Sequence, residues 1–236
     1  EIFIESVRIE FIDSFLEIYQ FKLIFTIFCL LILINGTNFL DGLNTLVTVY
    51  YIMVILCILY LKHHFNFNFE TAVIEVTLLA LIVFLFFNFF GKAYLGDNGS
   101  YLIPFIIGIF LIEFSNRDLL YEETSQNLSP YFVACLLWYP AYENLFSIIR
   151  KKINKISPAE PDNKHLHQLI FLKLKRKLKF NKRVLNTFSG IIINVYNLFV
   201  FLISVNNFTN TKILIIILCI NILTYTALYS VLKKGA

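Results

Sequence analysis

Charge is scarce in this chain. Charged residues make up 15% of its 236 positions and apolar residues 58%, and mean hydropathy is +0.72. A soluble domain of this length carries about 25% charge, so the composition excludes one and predicts a polytopic membrane protein. Cysteine is thin as well. Cys29, Cys57, Cys135 and Cys219 each lie in an apolar run with no paired spacing, which argues against a disulfide framework and a zinc site and leaves them as small buried hydrophobes. No sequence period of about 20–50 residues recurs, which disfavours a solenoid. Methionine occurs once, at Met53, and the chain opens on Glu1 without a signal peptide, so it reads as a piece of a longer protein.

What the chain does have is apolar runs of membrane length, roughly 20 residues each. They predict an all-α, polytopic membrane helix bundle of about seven transmembrane segments, near 19–40, 43–61, 70–90, 99–114, 130–149, 186–205 and 211–232. The fourth is short, and Pro104 and Gly108 inside it predict a kinked or cavity-lining helix. Residues 1–17 alternate β-branched and charged positions, which predicts a short β-like hairpin or an interfacial segment. The organisation expected is an extracytoplasmic segment, 1–18, and a transmembrane domain, 19–236, with a cytoplasmic loop at about 150–185.

Basic residues orient the bundle. Lys92, the twelve lysines and arginines from Arg150 to Arg183, Lys233 and Lys234 fall on one side of seven crossings. Arg8, Lys22, Lys62, Arg117 and Lys212 fall on the other. The positive-inside rule then makes the first side cytoplasmic. Of the acids, Asp41, Asp97, Glu143, Glu160 and Asp162 belong to that side.

Three polar stretches end on the same side. Asn35-Gly36-Thr37-Asn38-Phe39-Leu40-Asp41-Gly42-Leu43-Asn44 closes the first span. Amides and a carboxylate are costly there unless they face water, a metal or a ligand. On a helix Asn35 and Asn38, and Asn38 and Asp41, share a face. Asp41 and Asp97 are separated by one crossing out and one back, so a helical hairpin brings both carboxylates to one face, where they could hold a hard cation such as Mg2+. Asp97-Asn98-Gly99-Ser100 reads equally as the N-terminal cap of the next helix, or as a phosphate cradle at its start. His165 and His167, two apart, lie on one side if the segment is extended, and could donate hydrogen bonds to phosphate or, as a second choice, ligate a metal. His63-His64 falls on the opposite face and receives no role. The basic stretch Lys173–Lys179 reads as the positive-inside signal with attraction to anionic headgroups. It carries no recognition module for nucleic acid.

These residues carry a resemblance. Asn35-x-x-Asn38-x-x-Asp41-Gly42-Leu43 resembles the N-A-x-N-x-x-D-G-L motif of the polyprenyl-phosphate N-acetylhexosamine-1-phosphate transferases (glycosyltransferase family 4). Tyr94-Leu95-Gly96-Asp97-Asn98-Gly99-Ser100 is similar to the family's F-x-G-D-x-G-S, and Ser157-Pro158 with Asp162 and His165-Leu166-His167 to its S-P-F-x-A-D-R-x-H-L-H-H. Pro140-Ala141-Tyr142-Glu143 looks like its P-x-x-D. The departures are Asn44 for the second aspartate of D-G-L-D-G, Thr45 for the glycine after it, Asn163 for an arginine and Gln168 for the last histidine. The family's adjacent aspartates would fall before Glu1, so the chain as given is expected to be inactive.

The resemblance implies a Mg2+-dependent enzyme (Mn2+ being the alternative ion) of the bacterial cytoplasmic membrane, its active site facing the cytoplasm. It would transfer a sugar-1-phosphate from a UDP-sugar, foremost UDP-N-acetylglucosamine, to a polyprenyl phosphate such as undecaprenyl phosphate, releasing UMP, in cell-envelope polysaccharide synthesis. Asp41 and Asp97 would be catalytic and hold the metal, and His165 and His167 would contact phosphate. Asn35, Asn38, Gly42, Asn44, Tyr94, Asn98, Gly99, Ser100 and Lys164 would bind substrate, with Tyr94 stacking on uracil. The partners implied are the UDP-sugar and the lipid phosphate, with a homodimer compatible and no nucleic acid. A non-catalytic relative that binds lipid phosphate, and a transporter, stay open as alternatives. A transporter would place ionisable residues near the bilayer midplane, whereas here they collect at segment ends.

Overall fold

The computed structural model describes residues 2–65, 70–116, 128–155, 157, 160 and 164–234. Among these the chain is all helical. The elements are α1 (Glu10–Leu16), α2 (Tyr19–Leu40), α3 (Leu46–Phe65), α4 (Ala72–Phe89), α5 (Gly96–Ser115), α6 (Pro130–Ile153), α7 (Leu166–Lys177), α8 (Lys182–Val205) and α9 (Thr211–Lys234). Seven of them, α2 to α6 with α8 and α9, are long and apolar enough to cross a bilayer. They match the seven predicted segments. The boundaries moved by a few residues because polar first turns join the apolar runs: α5 begins at Gly96 and α8 at Lys182.

The N-terminal hairpin is not there. No strand occurs among the described residues, and residues 10–16 form α1. Backbone donors before it are satisfied by side chains rather than by a second strand: Ile4 N–H donates to Thr26 Oγ1 at 3.0 Å and Val7 N–H to Asp13 Oδ1 at 2.8 Å. Arg8 then reaches Thr211 Oγ1 at 2.8 Å and the Leu128 carbonyl at 3.1 Å, which ties this segment to the start of α9. The loop expected at about 150–185 also holds regular structure, since α7 lies inside it.

α2 is the hub, packing against α5 and α6. Two glycines make this close approach feasible. A Cβ on Gly36 would run into the backbone carbonyl of Pro140 in α6, and one on Gly108 would come within 2.8 Å of Leu30. The second contact accounts for Gly108, and α5 runs on as helix through Pro104, which is buried. Between membrane helices the hydrophobic effect gives little drive, so close packing and interhelical hydrogen bonds do the holding. Thr37 and Tyr51 hydroxyls bond at 2.6 Å, Tyr50 donates to the Leu136 carbonyl at 2.8 Å, Trp138 Nε1 donates to Asn197 Oδ1 at 3.0 Å, and Asn144 donates to the Ile32 carbonyl at 3.0 Å.

Candidate functional site

The C-terminal end of α2, the N-terminal end of α5 and the start of α7 meet at one end of the bundle. α2 stops at Asp41, whose amide donates to the Asn38 carbonyl at 3.2 Å. Asp41 Oδ2 in turn accepts the Gly96 amide at 2.9 Å. Gly96 has φ +64, a left-handed conformation that glycine adopts without strain, and this aims its N–H across to the carboxylate. Asn38, in the last turn of α2, donates to Asp97 Oδ1 at 3.1 Å and to Ser100 Oγ at 3.0 Å. Asp97 therefore sits in the first turn of α5 without capping it. The N-cap position is Leu95 and has no side-chain cap bond. An acid there is still favoured by the helix dipole.

Asp41 and Asp97 feel one another. Burial, reinforced by the charge of Asp97, raises the Asp41 carboxyl from its usual range to about 6, against the lowering effect of the Gly96 amide. Among the described residues Asp41 Oδ1 and Asp97 Oδ2 have no hydrogen-bond partner. Two carboxylates, the Asn38 amide oxygen and a hydroxyl make a hard-oxygen donor set. It fits Mg2+, which usually takes one or two carboxylates and completes its shell with water and substrate phosphates. No group of three His, Cys, Asp or Glu side chains that could hold a metal alone exists among the described residues. The set thus suits an ion shared with a substrate rather than a closed structural site.

Beside this pair stands a second cluster. His165 precedes α7 in extended conformation and His167 lies within its first turn, so the two rings stack at 5.7 Å with an interplanar angle of 12°. His165 Nδ1 is 2.9 Å from Glu143 Oε1 on α6, and its ring lies 4.9 Å from Phe39 on α2. His167 is fully buried, with both ring nitrogens unpartnered among the described residues. A Cβ on Gly42 would stand 3.1 Å from His167 Nε2, so the glycine of the first motif leaves room for the histidine of the third. Burial pushes His167 down to about 4, with Glu143 acting to raise it and His165 to lower it, so its ring is neutral near pH 7. Gln168, where the motif has a histidine, accepts the His165 amide at 3.1 Å and caps α7.

Not every predicted site residue joins these clusters. Asn44 is buried and engaged elsewhere: its amide N–H donates to Asn186 Oδ1 at 2.6 Å and its side chain to Thr187 Oγ1 at 3.3 Å, both on α8. Asn35 is exposed and donates to Leu31 in its own helix. Tyr94 is 74% exposed, and Asn98 and Lys164 are exposed as well. Gly99 packs on the Leu95 side chain. Ser157 and Lys164 are described, whereas Pro158, Asp162 and Asn163 lie outside the described residues. His63 and His64 are in the last turn of α3, at the far end of that helix from the motifs.

The sequence reading missed the residues that brace the Gly42–Leu46 turn. Asn88 Oδ1 accepts the Thr45 amide at 2.6 Å, and Asn194 donates to the Thr45 and Leu46 carbonyls, each at 3.1 Å. Thr45 has φ 68, and Gly190 comes so close to the Asn44 carbonyl that a Cβ would not fit. The available signal was asparagine inside apolar runs, which is expensive in a membrane unless bonded.

Residues 1–115 match the family model of glycosyl transferase family 4. The matched stretch makes up just under half of the chain. It contains Asn38, Asp41, Gly96, Asp97 and Ser100, the whole carboxylate cluster. An undecaprenyl-phosphate alpha-N-acetylglucosaminyl 1-phosphate transferase of Thermotoga maritima is 30% identical over 83 residues, 35% of this chain and 25% of the relative. A decaprenyl-phosphate N-acetylglucosaminephosphotransferase of Mycolicibacterium smegmatis is 33% identical over 154 residues, 57% of this chain and 37% of the relative. The matched regions thus span between a quarter and just over a third of these relatives' lengths. No solved structure matches the chain.

Proposed function

We propose that this chain is a glycosyl transferase of family 4 and takes part in transferring N-acetylglucosamine-1-phosphate from UDP-N-acetylglucosamine to a polyprenyl phosphate in a bacterial cytoplasmic membrane. A lipid phosphate oxygen attacks the sugar-bearing phosphorus, and the bond to the UMP phosphate breaks, leaving a lipid-linked diphospho-sugar and UMP. The observation that carries the reading is the Asn38 bond to Asp97 beside the Asp41 bond to Gly96, which joins two motifs from separate helices around one pair of carboxylates. Asp41 and Asp97 would hold Mg2+, which when bound neutralises pyrophosphate charge in such transfers. Asn38 keeps Asp97 oriented, and the Gly96 amide keeps Asp41 oriented. His165 would donate a hydrogen bond to a phosphate oxygen, and the exposed Tyr94 ring is available to stack on uracil. The motif end would face the cytoplasm, where sugar nucleotides are found.

The test is incubation of the whole natural protein that contains this chain, inserted in membranes, with radiolabelled UDP-N-acetylglucosamine, undecaprenyl phosphate and Mg2+. A labelled lipid product with stoichiometric UMP is expected. Neither product nor UMP with any of a panel of UDP-sugars, in membranes where a homologous transferase is active, would overturn the proposal.

A further inference from the structure

We infer that Glu143 is a positioning residue of this site: from α6 it holds the His165 ring with the Nδ1 proton directed at its carboxylate, so that Nε2 is the atom turned to phosphate, to which it donates when the ring carries its second proton as imidazolium. The phosphate in this statement rests on the transferase reading, and the pairing rests on geometry alone. The Nδ1 to Oε1 distance is 2.9 Å, with His165 4% and Glu143 1% exposed. In the pairing inferred here Glu143 acts as an ionised carboxylate, which only accepts hydrogen bonds; the proton between the two atoms then belongs to the imidazole, and Nε2 is left as the outward atom. No side chain other than Glu143 hydrogen-bonds the His165 ring among the described residues, and the Gln168 backbone meets it in the capping box of α7.

Three further contacts fix the ring. Phe39 at 4.9 Å and His167 at 5.7 Å limit its tilt, and the Gln168 side chain holds the His165 amide. Glu143 itself lies just short of one turn after Pro140, whose carbonyl meets Gly36. The same helix crossing that ends in Asp41 therefore sets where the Glu143 carboxylate stands. The titratable groups facing the pair are His167 on α7, Tyr139 on α6 and Tyr225 on α9, with Arg150 of α6 beyond them against Tyr225. A ligand histidine whose other nitrogen is held by a carboxylate is a recurrent arrangement, because the carboxylate chooses both the tautomer and the ring plane.

The experiment combines 15N-imidazole spectra of the full chain in nanodiscs with transfer kinetics. His165 in the wild type should carry its proton on Nδ1, and Glu143→Met should shift it toward Nε2. kcat should then fall about 10- to 100-fold while KM for the sugar nucleotide changes less than about threefold. Glu143→Gln, which keeps an acceptor oxygen at the same length, should recover most of both. A purely structural role would lower the melting temperature without moving the tautomer. A wild-type Nδ1 without a proton, or an unchanged tautomer in Glu143→Met, overturns the inference; so does full kcat in that variant. Should Glu143→Met fail to fold, Glu143→Asp, one methylene shorter, carries the same test. A wild-type chain with the Nδ1 tautomer but no transfer would leave the pair standing and remove the transferase reading instead.

Discussion

Asp97 touches its neighbours in two distinguishable ways, and one substitution separates them. Its Oδ1 accepts from Asn38, which an asparagine could imitate, but only a carboxylate supplies charge. Asp97→Asn should lower transfer by about 100-fold or more, the scale on which loss of one electrostatic stabiliser acts, with the melting temperature held. Since the Asp97 charge raises the Asp41 carboxyl, the same variant should bring the Asp41 titration down from about 6. Carboxyl 13C shifts followed through a pH series would show it. His167 gives the opposite sign. Its folded-state value is depressed to about 4 from 6.5, so the unfolded chain binds the extra proton between these values. Stability is therefore full above about 6.5 and is lost as pH falls through about 4, by up to about 3 kcal/mol. His167→Asn should flatten that part of the melting-temperature profile.

At the scale of elements, the α2–α6 crossing is the joint most exposed to a single methyl group. Gly36→Ala puts a Cβ into the Pro140 carbonyl, a backbone atom with little freedom to retreat. Overpacking of this kind costs about 1–3 kcal/mol. The loss should appear as a lower melting temperature in detergent, together with a disturbed Glu143–His165 pair, because Glu143 follows Pro140 on the same helix. Gly108→Ala is the useful comparison. It meets only the ends of the Leu30 and Leu33 side chains, which can shift, so its effect should be smaller. An equal loss in both would mean that the backbone contact is not what limits the crossing. The asparagines of α4 and α8 act at this scale too: Asn88, Asn186 and Asn194 hold the turn after Asp41.

For the whole molecule, seven helices of membrane length bring Asn38, Asp41, Asp97, His165 and His167 to one end. A cysteine introduced at Lys164 should react with a membrane-impermeant reagent in inverted vesicles and stay unlabelled in intact cells. Labelling in intact cells would reverse the orientation proposed from the basic residues. The number of spans and the end at which Asp41, Asp97 and His165 gather were legible in the sequence, because a run of about 20 apolar residues has one low-cost conformation in lipid. The alternation in residues 1–17 misled, since a strand needs a partner ladder and here side chains of Thr26 and Asp13 take the backbone donors. What the sequence alone could not assign was which polar groups answer each other across helices. Asn44 turned to α8, Glu143 became the partner of His165, and Gln168 became a cap. Such pairings depend on the rotation and closeness of packed helices, set by contacts such as Gly36 on Pro140 between residues far apart in the chain. Hydrophobic run length is local and survives in one dimension, whereas the partner of a buried amide or carboxylate exists only once the helices have packed.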